Sequence, residues 1–331
     1  MEKTVMTVTG PVPVNRLGVT LMHEHFTFAY PGWFADDSLS PYNREAAETA
    51  CLRVLEDVKR FGVQTIVDAT AADVGGRDPI LLKNLSKKSG VNIIVATGLF
   101  PESVGASNYY KWQSTMRGRN LEEDLYELFS TEINVGIRGS GVKAGILKVA
   151  TGDPGITEYE ATVFKAAVRV AKETGVSIIT HTEAATVGPA QQDLFLKLGA
   201  NPERIMIGHQ NNSEVIDYAL SQLERPGFYL GFDRVNPLMS AASEDNIVSL
   251  VTRGFGNRIM ISHDCIFVWL GRPGKFAPQF SGWYPDYLFK KLLPRMKAAG
   301  VTDEQIRGLL VDNPRRFFGG EQRVWQAIGY N

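Results

Sequence analysis

VTLMHEHF, residues 19–26, begins as an apolar run and ends on two histidines separated by a single residue. On an extended strand that spacing puts His23 and His25 on the same face. The ending recurs further along the chain. SIITHT (177–182) closes on His181, RIMIGH (204–209) on His209, and RIMISHD (258–264) on His263 and Asp264. All five histidines of the chain therefore close strand-like runs. The carboxyl ends of buried strands are where barrel and open-sheet enzymes keep their chemistry. The distribution points to one metal or catalytic site assembled from distant segments.

Outward from 19–26, short apolar runs alternate with longer amphipathic stretches. Strands are expected at 19–26, 63–70, 92–100, 144–150, 176–182, 204–209, 227–233 and 258–264. They are rich in Ile and Val and apolar on both faces, as parallel strands covered by helices should be. Helical patterns cover 44–61, 79–89, 121–133, 157–174, 189–198, 213–224, 243–255 and 284–299, and several run into a glycine suited to a left-handed cap. A short helix opens at Asp303, and NPRRFF (313–318) packs a last turn against the body. Eight strand–helix units predict an α/β chain folded as a closed (β/α)8 barrel, a TIM barrel, in one domain spanning residues 1–331. Long pocket loops are expected after strands 1, 3 and 8. A doubly wound open sheet would carry a glycine-rich phosphate loop after its first strand, and HEHF has none.

The bulk composition narrows the partners. A formal net charge of −1 gives no attraction to nucleic acid or an anionic membrane surface. No apolar run approaches the ~20 residues that span a bilayer, and the first residues lack the apolar core of a signal peptide. Cys51 and Cys265, far apart in sequence, read as free thiols in a reducing cytoplasm. The expected partner is a small-molecule substrate.

At the mouth of such a barrel, His23, His25, His181, His209 and Asp264 converge. Four imidazoles and a carboxylate are suitable ligands for zinc or a similar transition metal. His263 alternates to the opposite face from Asp264 and reads as a supporting residue. Lys148 lies inside GILKVA (145–150), an otherwise apolar strand, where an unpaired ammonium is unfavourable. It must be neutralised or paired, for instance with Asp264.

LMHEHF, GILKVATGDPGIT, SIITHT, IGHQNN, GFDR and IMISHD, in that order and spacing, resemble the phosphotriesterase family of the amidohydrolase superfamily, most nearly its phosphotriesterase-like lactonases. The resemblance runs from the VTGPVPVNRLG lead-in to NPRRFF. It implies two divalent metal ions bridged by Lys148 as an N-carboxylated lysine. His23, His25 and Asp264 would hold the more buried ion, and His181 and His209 the more exposed one. Zinc suits these ligands best, and iron, cobalt and manganese are compatible. The implied reaction is lactone opening by a metal-bridging hydroxide, with Asp264 handling the proton and with secondary organophosphate hydrolysis.

Asp233-Arg234 in GFDR resembles the lactonase branch, and Trp269 is similar to its aromatic wall. Phe100 stands where these lactonases usually carry a tyrosine. Arg234, Trp269 and Phe100 are thus the expected substrate-binding residues. Asn212 replaces an acid typical of the family three positions after the sixth-strand histidine, and an amide cannot shuttle protons. Relatives are commonly homodimers, so the aromatic clusters at Tyr30, Trp33 and Phe34 and at Tyr109, Tyr110 and Trp112 are candidates for pocket or interface. The alternatives are a phosphotriesterase or other ester or amide hydrolase using the same centre, and a barrel that binds a ligand without turnover.

Overall fold

In the computed structural model the described residues are 2–183, 187–272 and 282–321. Among them, nine parallel strands form one sheet that closes on itself. A hairpin of β1 (Thr4–Thr7) and β2 (Gly10–Pro13) precedes it. The sheet then follows as β3 (Val19–Phe28), β4 (Val63–Asp68), β5 (Asn92–Gly98), β6 (Ile146–Thr151), β7 (Ser177–Thr182), β8 (Ile205–Ile207), β9 (Tyr229–Phe232), β10 (Ile259–Ile261) and β11 (Ile266–Trp269). Strands β3 to β10 pair in chain order, and β11 pairs with β3. The last two are one barrel strand broken at residues 262–265, so the nine segments make the eight staves of a (β/α)8 barrel. Hydrogen bonds from Asp264 N to His23 O and from His25 N to Cys265 O, both 2.9 Å, bridge the break. The expected loop after the eighth strand therefore starts at Leu270 rather than Cys265. Its residues 273–281 lie outside the described residues.

The helices sit where the apolar period placed them, and their ends are explained by local chemistry. α1 (Arg44–Lys59) starts at Asn43, whose side chain accepts the Ala46 amide. α2 (Pro79–Ser89) begins with proline behind Asp78, which caps Ile80 and Leu81. The loop after β5 holds α3 (Ser107–Met116), and α4 (Leu121–Asn134) follows. α5 (Glu158–Thr174) has a Thr157/Glu160 capping box and ends on Gly175 in the left-handed region. α6 (Gly188–Lys197), α7 (Ile216–Leu223) and α8 (Ala241–Thr252) complete the ring, with Leu288–Ala298 behind β11.

Two apolar layers fix which end of the barrel is left for chemistry. Outward-facing strand residues pack on the helices. Inside, Met22, Val67, Ile94, Ile146, Ile179, Met206, Tyr229 and Met260 fill the floor, and Val5, Val14, Phe317 and Phe318 plug it from below. Burying a ring such as Phe317 stabilises by roughly 2–3 kcal/mol. Between Leu21 and Glu24 the pairing register of β3 slips against β4. The slip lets Met22 join the floor while His23 and His25 face the same interior one layer higher. Gly98 pairs with Lys148, and a Cβ there would lie 1.8 Å from the Lys148 carbonyl oxygen, so only glycine admits this approach of the strands.

Candidate metal centre

The strand ends deliver the expected side chains to one point. His23 and His25 come from β3, Lys148 from β6, His181 from β7, and His209 and Asp264 from the residues just after β8 and β10. All six are buried or nearly so. His209 and Asp264 hold left-handed backbone, φ 59° and 55°. Such strain in non-glycine residues persists only where the surroundings enforce it, and it concentrates at functional sites. Here it turns both side chains off their strands and into the barrel mouth.

Two groups of donor atoms result. Asp264 Oδ1 lies 3.0 Å from His25 Nε2 and 3.3 Å from His23 Nε2. His209 Nε2 lies 2.8 Å from His181 Nδ1 and 3.8 Å from Asp264 Oδ2. Lys148 Nζ sits 3.1 Å from His23 Nε2 and 3.4 Å from Thr180 O, and no carboxylate among the described residues pairs with it. The expected pairing with Asp264 is therefore not made.

The remote ring nitrogens are already committed. One carboxylate, Asp233, takes His23 Nδ1 at 2.8 Å and His209 Nδ1 at 2.9 Å, and also accepts the His209 amide at 2.8 Å. His25 Nδ1 meets Thr70 Oγ1 at 2.8 Å, and His181 Nε2 meets Glu183 Oε2 at 2.7 Å. In the tautomers that keep each ring proton on the nitrogen facing its outer partner, the inner nitrogens turn lone pairs toward one another and toward Asp264, with Lys148 Nζ beside that of His23. That arrangement is unfavourable until cations fill it, and outer hydrogen-bond partners of this kind orient the ligating histidines of metal sites. Protonation is a poor substitute. Burial, with Lys148 next, lowers the His23 pKa. Burial, with Arg234 and Lys148, brings His181 down to about 4, and burial and Arg234 lower His209 well below its ordinary value. Burial would raise the Asp264 carboxyl, but His23, His209, His25 and Arg234 together hold it far below the usual range. Burial also lowers Lys148 to about 8, against the pull of Asp264 and Asp233. The donor set fits divalent cations.

Above these atoms opens a cavity of about 300 Å³ lined by Phe28, Tyr30, Phe100, Arg234, Ile266, Trp269 and Trp283. Phe100, Arg234 and Trp269, expected at the substrate, are all on this wall. The Phe100 ring lies 5.2 Å from that of His181, and Trp269 is 5.5 Å from Phe28. The Arg234 guanidinium donates to Asp264 Oδ2 at 2.9 Å and to Asn212 Oδ1 at 3.2 Å. Asn212 also donates to Thr182 O, so it acts as a hydrogen-bonding brace. His263 faces away from the cavity, as alternation predicted, bonded to Glu24 and to the Leu288 amide.

Sequence reasoning missed Glu183, Thr70 and Glu24, and it read Asp233 only as a mark of the lactonase branch, not as the partner of two histidines. The one available signal was for Asp233, an acid closing the apolar strand GFYLGFD in the manner of the histidines.

Comparison with known proteins agrees with this geometry. The profile of the phosphotriesterase family matches residues 3–318. A phosphotriesterase homology protein of Mycobacterium tuberculosis is 34% identical over 325 residues, covering 96% of this chain and 98% of the relative. An aryldialkylphosphatase of Saccharolobus solfataricus is 30% identical, covering 91% and 95%. The crystal structure of a mutant Deinococcus radiodurans PTE-like lactonase superposes with a TM-score of 0.90 at 38% identity, covering 95% of this chain and 100% of the other. A histidine-rich barrel mouth, matched end to end at these identities, makes the chain a member of the phosphotriesterase family.

Proposed function

We propose that the chain is a binuclear-metal hydrolase that opens lactones, with secondary hydrolysis of organophosphates. The observation that carries the reading is the convergence of four imidazole nitrogens and Asp264 beneath an aromatic cavity. His23, His25 and Asp264 would hold one divalent ion and His181 and His209 the other, and Lys148, as a carbamate, would add oxygen donors. Zinc suits this mixed set, and iron, cobalt and manganese share its preferences. Two such ions supply a Lewis acid for the ester carbonyl and a water nucleophile at neutral pH. The protein's part is to position and to move protons. Asp233 fixes His23 and His209 together. Asp264, kept ionised, accepts the proton of the attacking water and passes it to the leaving alkoxide. Arg234 steadies the second Asp264 oxygen.

The cavity wall supports a neutral, apolar substrate. Among the described residues its one guanidinium is engaged by Asp264, and aromatic rings supply most of the rest. Lactones of alkyl or acyl-homoserine type meet this description. The name of the Saccharolobus relative supports aryl dialkyl phosphates as the second reading. Turnover of a homologous lactone series is expected to exceed that of an aryl dialkyl phosphate in kcat/KM. A preference for the phosphate above roughly a hundredfold would replace the first reading with the second.

The reading also takes the chain as a cytoplasmic homodimer. No helix among the described residues is long and apolar enough to cross a membrane, and Cys51 and Cys265 are buried free thiols. Tyr30 lines the cavity, whereas Tyr109, Trp112 and Met116 form an exposed stripe on α3, with Trp112 63% accessible. The stripe is the better candidate for the contact between copies. Trp112→Glu is expected to convert the dimer to a monomer in size-exclusion light scattering. A wild-type chain that already runs as a monomer removes this part of the reading.

A further inference from the structure

Glu24 stands between the two imidazoles of HEHF and points the other way. It is fully buried, and no lysine or arginine bonds it among the described residues. Its partners come from the far side of the barrel seam. Oε1 accepts the Ser262 hydroxyl at 2.8 Å, the His263 amide at 3.0 Å and the His263 Nδ1–H at 2.9 Å, and Oε2 accepts the Cys265 amide at 2.8 Å. Ser262 Oγ in turn accepts the His23 amide at 3.1 Å, and His263 Nε2 accepts the Leu288 amide at 3.2 Å. One carboxylate thus gathers residues 262, 263 and 265.

These are the residues where the eighth strand breaks. Asp264 takes left-handed backbone, and the ladder to β3 continues only through Asp264 N and Cys265 O. The amides of His263 and Cys265 are left without a backbone acceptor, and Glu24 supplies one to each. Barrel closure does not need this, because β11 pairs with β3 on its own. The turned conformation of 262–265 does need it, since buried N–H groups without acceptors would otherwise favour a different path.

We propose that Glu24 is a positioning residue for Asp264: its carboxylate holds the 262–265 turn that aims the Asp264 side chain at His23 and His25, the two neighbours of Glu24 itself. The proposal rests on the reading of Asp264 as metal ligand and proton acceptor. The triplet His23-Glu24-His25 then does two jobs through strand alternation, presenting imidazoles inward and holding their carboxylate co-ligand from behind.

Glu24→Gln tests it, because the amide keeps the size but sets an NH₂ against N–H or O–H donors. Glu24→Gln, Asp264→Asn and the double variant are compared as zinc-loaded enzymes for kcat, KM and the rate of zinc loss to a chelator. Glu24→Gln alone is expected to lower kcat by on the order of a hundredfold, with KM within about threefold, and to speed zinc loss by about tenfold. In the Asp264→Asn background both effects should vanish to within about threefold, as expected for residues acting as a unit. Equal factors in both backgrounds, or a wild-type kcat for Glu24→Gln, overturn the proposal. If Glu24→Gln does not fold, Ser262→Ala runs the same cycle, with a smaller coupled loss supporting the idea and a multiplicative loss sinking it. Amide exchange in the metal-free protein separates this proposal from the functional reading. His263 and Cys265 should exchange about a hundredfold faster in Glu24→Gln, with the floor strands unchanged. Unchanged exchange refutes the hold of Glu24 on the turn whatever Asp264 does, whereas wild-type turnover of Asp264→Asn refutes the role given to Asp264.

Discussion

Lys148→Ala is expected to keep the barrel folded, to lose most of its metal, and to lose hydrolysis by roughly a thousandfold or more, the equivalent of several kcal/mol of charge stabilisation. Lys148 is fully buried in the middle of β6, with Nζ beside His23 Nε2 and, among the described residues, without a paired carboxylate. A free ammonium in that place would oppose any cation held by the imidazoles. Its burial also favours the neutral amine, with a pKa brought down to about 8. In the proposed reading the neutral amine would add carbon dioxide to give a carbamate and release one proton, which would invert the charge and provide two oxygen donors. Alanine can do neither. The fold should survive, because Leu147 and Val149 face the helix layer and keep their packing. The space left by the lysine stem adjoins the site and admits a short carboxylic acid. Acetate or propionate should therefore restore part of the metal content and part of the turnover. Elemental analysis of the purified variant decides the matter, and unchanged metal content removes the carbamate from the reading. Non-denaturing mass spectrometry of the wild type should find the mass of one added carbon dioxide.

The fold was legible wherever burial imposed a period. The stretch 79–89 has the bounds of α2 as expected, because a proline at its first position and the Asp78 cap leave the helix one place to start. Where burial and pattern part company, the sequence is silent. α3 buries only Ser107 and Ser114 and turns Tyr109, Trp112 and Met116 to solvent, so its apolar residues mark no core face. The β1–β2 hairpin is punctuated by Gly10, Pro11 and Pro13, which read as loop. The strand β11 was lost because nothing in ISHDCIFVW announces that Asp264 adopts φ 55° and lets the strand resume two residues later.

The site divides in the same way. Its inner atoms were legible because imidazoles and a carboxylate at the ends of apolar strands are chemically out of place. The groups that hold them were not, since their meaning lies in distance across the barrel. Asp233 is 210 residues from His23 in sequence and 2.8 Å from it in space. Glu24 was read past because only its neighbours point inward. The lysine was recognised as anomalous, but the resemblance, and no spacing rule, supplied its carbamate. Of the pocket loop expected after the last strand, residues 273–281 lie outside the described residues.

Asp264→Asn is expected to fold like the wild type and to lower kcat by about 10²–10⁴-fold, the span usual for a positioned proton-transfer group. Several cationic or polar neighbours hold the Asp264 carboxyl far below the ordinary range, so it stays ionised through neutral pH and the loss cannot be attributed to its protonation state. Asparagine keeps an oxygen for one side of the group and the shape for the other, and it can neither accept nor deliver the proton. The leaving group then distinguishes two contributions. An alkoxide expelled from an alkyl lactone needs a proton, whereas a phenolate expelled from an aryl ester leaves without one. If Asp264 carries the proton, the variant should lose roughly tenfold more on the alkyl lactone than on the aryl ester. An equal loss on both substrates would confine Asp264 to holding metal, and a near-wild-type kcat would deny it either role. Since Arg234 donates to Asp264 Oδ2, the guanidinium in the variant faces a neutral amide. That change should appear in KM through the altered wall of the cavity, separately from the kcat effect that reports the proton.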